Sequence, residues 1–199
     1  MVKSRLIKLA ALAGIIGPVV FAIMVTGLTF AEASFMRSIG WEPFGNVLDW
    51  PSGLALGPYG WLMTITFFVC GVLMAFFAYG LNLALQEKFA TTLLMLAGFA
   101  MMGLVFTTDP TIRSYPKTWH GFLHDGFFAV LGVILMLGML LLGRVFQKSE
   151  HWRNLAIYTW ATLALVVPTF WLKGPWFYLF LSAILIWSEV TALRLRSTQ

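Results

Sequence analysis

Two histidines four residues apart, with a carboxylate directly after the second, stand in the stretch DPTIRSYPKTWHGFLHDGF at residues 109–127. On a helix that spacing stacks the His120 and His124 rings one turn apart on a single face. Such a pair can chelate one metal ion. Zinc requires three or four N, O or S ligands at about 2.0–2.3 Å, and Asp109 is the carboxylate expected to complete the set with His120 and His124. Water on such a metal becomes a nucleophile as its pKa falls towards about 7. In that chemistry Asp125 or Glu32 shuttles the proton and Ser52 hydrogen-bonds the developing oxyanion, so these three are the candidate catalytic residues. The motif is less specific than a full HExxH. Proton relay, ligand hydrogen bonding and plain interfacial structure compete with the metal reading for the histidines, and a cap or turn role competes for Ser52.

These groups stand out because the rest of the chain is so apolar. Of 199 residues, 60% are hydrophobic and only 11% charged, which makes the expected fold an all-α polytopic membrane bundle forming one integral domain over residues 1–199. Uncharged runs near the roughly 20 residues needed to cross a bilayer recur at residues 9–31, 59–85, 89–106, 121–142, 155–171 and 176–193. Six transmembrane helices are therefore expected. The first follows Lys3, Arg5 and Lys8 and precedes an Ala-Glu-Ala resembling a signal cleavage site, but its apolar run is too long for a signal core and is read as a retained helix.

Six crossings put both termini on one side, together with Lys3, Arg5, Lys8, Lys88, Arg144, Lys148, Arg153, Arg194 and Arg196, nine of the thirteen bases. The positive-inside rule makes that side cytoplasmic and the location the inner (plasma) membrane. Glu32, Glu42, Asp49, Asp109, Asp125, His120 and His124 then share the opposite face. The basic excess is absorbed by topology, so no nucleic-acid partner is expected, whereas membrane lipids and other membrane subunits are. Arg113 and Lys117 could draw a phosphate headgroup to the outer mouth.

Two of the outer connections are long, and loops of that kind commonly hold function. The stretch GWEPFGNVLDWPSGLALGP, residues 40–58, mixes turn formers with tryptophans and is expected to lie in the interface or fold back over the bundle mouth. Tryptophans and tyrosines near helix ends, Trp61, Trp119, Trp152, Tyr158, Trp176 and Trp187 among them, read mostly as interfacial anchors. Glycines in the third and fourth spans permit close helix approach. Pro18 and Pro168 should kink their helices, and buried neighbours must then satisfy the freed carbonyls. Glu189 is expected to pair with Arg194 or to snorkel. The lone Cys70 reads as packing. Haem is not expected from this chain alone, because two histidines on one helix face cannot clasp it from opposite sides and His151 lies in a loop at the other side.

The order SGLALGPYGW, an apolar helix ending in FTTDP, then WHGFLH opening the next helix and GRVF closing it resembles the domain of unknown function 998 family of bacterial six-helix membrane proteins. The resemblance implies a six-helix fold and a shared site of Ser52, Asp109, His120 and His124, with no known reaction. Family members often have a His-Pro pair before the serine, where this chain reads Asp49-Trp50-Pro51-Ser52. A looser analogy of site chemistry is to membrane hydrolases of the alkaline ceramidase type, which gather serine, aspartate and histidines around zinc. The expected function is accordingly a metal-dependent hydrolase or remodelling enzyme for a lipid at the outer leaflet. The alternative is a non-catalytic binding or assembly subunit of a larger membrane complex.

Overall fold

The computed structural model describes residues 2–41, 50–109, 116–170, 172 and 174–198. Seven α-helices follow one another: α1 (Val2–Ala31), α2 (Ala33–Ser38), α3 (Gly60–Leu85), α4 (Phe89–Met102), α5 (Trp119–Gln147), α6 (Arg153–Phe170) and α7 (Pro175–Ser197). Short 3-10 helices precede α3 (Pro51–Leu56) and extend α4 (Gly103–Val105). No strand occurs among the described residues. Four helices, α1, α3, α5 and α7, are long and apolar enough to cross a membrane.

The expected spans fall on these helices, with differences at the ends. α1 begins seven residues before the apolar run, and α5 extends beyond residues 121–142 at both ends. Hydropathy reports the buried-in-lipid part of a helix, whereas backbone hydrogen bonding continues through flanking Lys, Arg, Trp and Gln, which tolerate helix well.

The long helices close into a ring. α1 packs on α3, α3 on α4, α4 on α5, α5 on α6, α6 on α7, and α7 returns to α1. Both termini lie at one end, where the backbone of Gly80 faces Ala10 and Leu195. Glycine lets α3 and α4 approach closely, since a Cβ on Gly71 would stand 2.6 Å from the Gly98 carbonyl, and one on Gly98 would stand 2.7 Å from that of Gly71. α3 and α4 therefore meet backbone to backbone. Gly126, by contrast, faces open space.

Connections follow local chemistry. Gln86 ends α3 in the left-handed conformation, φ 55°, with its N–H on the Asn82 carbonyl, and the Glu87 carboxylate then accepts the Ala90 N–H at 2.8 Å to open α4. Pro18 cannot donate to the Gly14 carbonyl one turn back; the Ser188 hydroxyl of α7 donates to that carbonyl instead, at 3.4 Å. Trp187, expected at the interface, is instead buried, and its indole N–H donates to Thr159 Oγ1 at 3.0 Å, tying α7 to α6. Trp152 is likewise buried and stacks on Phe146. An aromatic near a helix end cannot be told from a core aromatic by position alone. Trp61, Trp119 and Trp176 are exposed, as anchors would be. Arg194 reaches the His151 carbonyl rather than Glu189.

Candidate functional site

Opposite the termini, the helices meet at a mouth where the polar residues divide into separate arrangements. The first is built on Thr118, which caps the start of α5. Its hydroxyl accepts the Gly121 N–H at 3.2 Å and donates to Asp109 Oδ1 at 2.5 Å, while Asp109 Oδ2 accepts the Thr118 N–H at 2.9 Å. Both carboxylate oxygens are thus engaged by one residue. The same hydroxyl lies 3.1 Å from His120 Nδ1. A hydroxyl has one proton, and with that proton on Asp109 it can meet His120 Nδ1 only as an acceptor. A Cβ at Gly121 would fall 2.1 Å from Asp109 Oδ2, so any side chain there would displace the carboxylate from Thr118.

His124 lies one turn further along α5 and is buried. Its Nδ1 donates to the Phe106 carbonyl at 2.7 Å, with the Phe67 ring edge-on at 6.4 Å. Phe106 follows the end of α4, where helix carbonyls lack intrahelical partners, so His124 acts as a cap supplied from the neighbouring helix. Asp125 points elsewhere, forming an exposed ion pair with Lys117, whose ammonium also sits over the Phe122 ring at 5.2 Å. Exposed pairs of this kind contribute little to stability. Arg113, Glu42 and Asp49 lie outside the described residues.

Glu32 belongs to a different corner, directly after the last residue of α1. It is only 2% exposed. Its Oε1 accepts the Tyr59 N–H at 2.6 Å, and Oε2 has no hydrogen-bond partner among the described residues. A Cβ on Gly57 would stand 2.2 Å from the carboxyl carbon, so the absence of a side chain there lets the segment before α3 close over Glu32. Burial pushes the Glu32 carboxyl upward from its ordinary value, opposed only by the Tyr59 N–H.

Of the stretch 40–58, expected to lie in the interface or fold back over the mouth, residues 42–49 lie outside the described residues, and residues 50–58 pack against the helices at the mouth. Trp50 inserts against Phe128 of α5 and Phe177 of α7, with ring centroids 4.6 and 4.7 Å away. Trp41 covers the bare backbone of Gly53. Beneath it, a cavity of about 140 Å³ runs down the centre of the ring. It lines α3 from Phe67 to Ala78, a length of roughly 16 Å at 1.5 Å per residue, and Trp50, Pro51 and Ser52 form its wall at the mouth. Its polar side chains are few. The Cys70 thiol donates to the Gly17 carbonyl at 3.4 Å and Ser188 to Gly14, leaving Ser52.

The sequence-expected residues therefore split. Asp109 and His120 meet through Thr118, His124 braces the end of α4, Asp125 faces Lys117, Glu32 lies under Gly57, and Ser52 borders the cavity. Among the described residues no three His, Cys, Asp or Glu side chains gather to hold a metal ion, and Asp109 has both oxygens committed to Thr118. Sequence reasoning passed over Thr118, although a threonine just ahead of an apolar helix is an N-cap signal. It also passed over Trp50 as a wedge and Gly57 as the floor beneath a carboxylate, contacts for which no local pattern exists.

No curated protein and no solved structure matches the chain. Residues 15–194 match the family described as Protein of unknown function (DUF998), a match that takes in α3 to α6 whole, parts of α1 and α7, and the residues of the mouth, so the chain belongs to that family.

Proposed function

We propose that this membrane protein binds the apolar chain of a lipid-like amphiphile in its central cavity, with the polar group held at the mouth near Ser52. The cavity supports this reading. Apolar cavities of about 150 Å³ stay dry and take up apolar guests of benzene size, and this one is of that size with its two deep polar side chains turned onto wall carbonyls. Within the same proposal the ring makes six crossings of the plasma membrane with both termini cytoplasmic. The nine bases at the terminal end support that orientation. The shorter α4 with its 3-10 extension and α6 complete the six.

The test is photolabelling of the protein in nanodiscs with a fatty alcohol bearing a diazirine at the chain end. Labels on Phe67, Phe177 and Leu131, reduced by the cavity-filling Leu131→Trp, are the expected result. Labels confined to the lipid-facing residues Phe68, Ile65 and Val133 would remove the reading.

A second reading is a divalent-metal hydrolase or remodelling enzyme for an outer-leaflet lipid. It is supported by the histidine contacts: Nδ1 of each ring lies against an oxygen, the Thr118 hydroxyl for His120 and the Phe106 carbonyl for His124, which is the outer partner that a metal-ligating histidine carries. It requires ligands beyond the two histidines, and Asp109 would have to leave Thr118. Metal analysis of purified protein decides: stoichiometric metal that disappears in the His120→Ala, His124→Ala double variant supports it, and none in the parent protein ends it.

A further inference from the structure

We propose that Glu32 is a proton-operated latch on the segment of residues 50–59, closing the mouth of the central cavity when neutral and releasing it when ionised. The inference rests on the cavity reading above for what is gated, but the latch itself stands on its own geometry. Leu54 is buried in the apolar core, and three further contacts among the described residues hold the segment shut. Trp50 wedges between Phe128 and Phe177 at one end, Trp41 covers Gly53 in the middle, and Glu32 grips the other end through the Tyr59 N–H with its carboxyl against Gly57. The first two are apolar and indifferent to pH. The third places a carboxyl where solvent does not reach, with one oxygen bonded and the other unpartnered among the described residues.

An ionised carboxylate in that position is shielded from solvent and has no counter-charge among the described residues. The elements packed around it offer few titratable or charged groups: Arg37 on α2, which is exposed, and Tyr59 itself. The last half of α1, the 3-10 helix Pro51–Leu56 and the first two turns of α3 contribute none. Glu42 and Asp49 lie outside the described residues. A single backbone N–H does not offset the desolvation of a charge, whereas a neutral carboxyl with one open valence costs far less. Lifting residues 57–59 away rehydrates Glu32 and restores its ordinary acidity.

The direction of the pH effect follows. Glu32 binds its proton more tightly in the closed state than in the open state, so closure is fully favoured below the ordinary carboxylate range and weakens as pH rises through the raised closed-state value. Between those two values the closed-to-open ratio changes about tenfold per pH unit. A mildly acidic surface shuts the cavity. A more alkaline one opens it.

Hydrogen exchange of the protein in nanodiscs without added ligand, from about pH 5 to about pH 9 and normalised to intrinsic rates, reads the latch directly. Protection of the amides in residues 51–60 should fall about tenfold per unit through the titration window, while amides of α6 around Thr159 stay constant and report an intact fold. Glu32→Gln keeps the shape and the acceptor for Tyr59 but cannot ionise, so its segment should remain protected throughout. A flat profile in the parent protein, a Glu32→Gln variant that titrates like the parent, or one whose segment is unprotected at every pH overturns the proposal. A titrating segment with no photolabel in the cavity leaves the latch standing and removes the cavity reading; a labelled cavity under a pH-indifferent segment does the reverse.

Discussion

Asp109 and Glu32 are both carboxylates at the mouth, and the protein treats them in opposite ways. Asp109 is half-buried with each oxygen on Thr118, one accepting a backbone N–H and the other a hydroxyl. Glu32 is buried with one oxygen on Tyr59 and, among the described residues, no partner for the other. Both press on a glycine, Gly121 and Gly57 respectively. The lesson is that proximity to a polar site says little about role. A carboxylate with all its valences filled is a fastener for the start of α5, and one with an open valence in a dry corner stores a dependence on protonation.

The comparison can be broken in several ways. The largest effect is expected from Gly57→Val, which drives a branched side chain into the Glu32 carboxyl. Overpacking of this kind costs about 3 kcal/mol, to be read as a lowered unfolding midpoint with lost protection in residues 51–60. Asp109→Ala comes next. Removing a charged acceptor of two hydrogen bonds should cost about 2 kcal/mol and fray the first turn of α5, seen in exchange of the amides of residues 119–122. If that variant instead kept its stability and lost a bound metal, the fastener reading would give way to the metal one.

Glu32→Gln sharpens the contrast by sign rather than size. The parent protein should lose thermal stability as pH rises above the ordinary carboxylate range, because burial raises the Glu32 value in the folded state; the variant should lack that loss and be more stable than the parent at the alkaline end of the interval. The smallest change belongs to His120→Ala. The ring is partly exposed and its contact to Thr118 is one hydrogen bond among several at that hydroxyl, so a shift of under about 1 kcal/mol is expected in chemical unfolding. A large loss there would mean that His120, rather than Asp109, organises the start of α5.

Much of this arrangement was legible in the residues taken in order. Hydropathy located every long helix, because burial in lipid demands an uninterrupted apolar run whatever its neighbours are. The need for a donor to the carbonyl freed by Pro18 was legible too, since proline lacks an N–H, but its identity as Ser188, 174 residues away, was not. The His120 and His124 spacing correctly set both rings on α5. Their partners, Thr118 at the start of α5 and the Phe106 carbonyl after α4, were not legible, because neither is set by the spacing of the histidines. Trp187 shows the same limit, being assigned to the interface by its place near a helix end and found in the core on Thr159.

By itself, then, the order of amino acids determined the membrane class, the helices and which residues share a helix face, because these follow from local hydropathy and a period of 3.6. Tertiary structure alone decided that six helices close into a ring around a cavity, that Trp50 and Ser52 border it, and that Glu32 is dry while Asp109 is saturated. Those outcomes depend on which distant backbone arrives beside each side chain, Tyr59 beside Glu32 and Thr118 beside Asp109, and desolvation and hydrogen-bond satisfaction are set by that arrival.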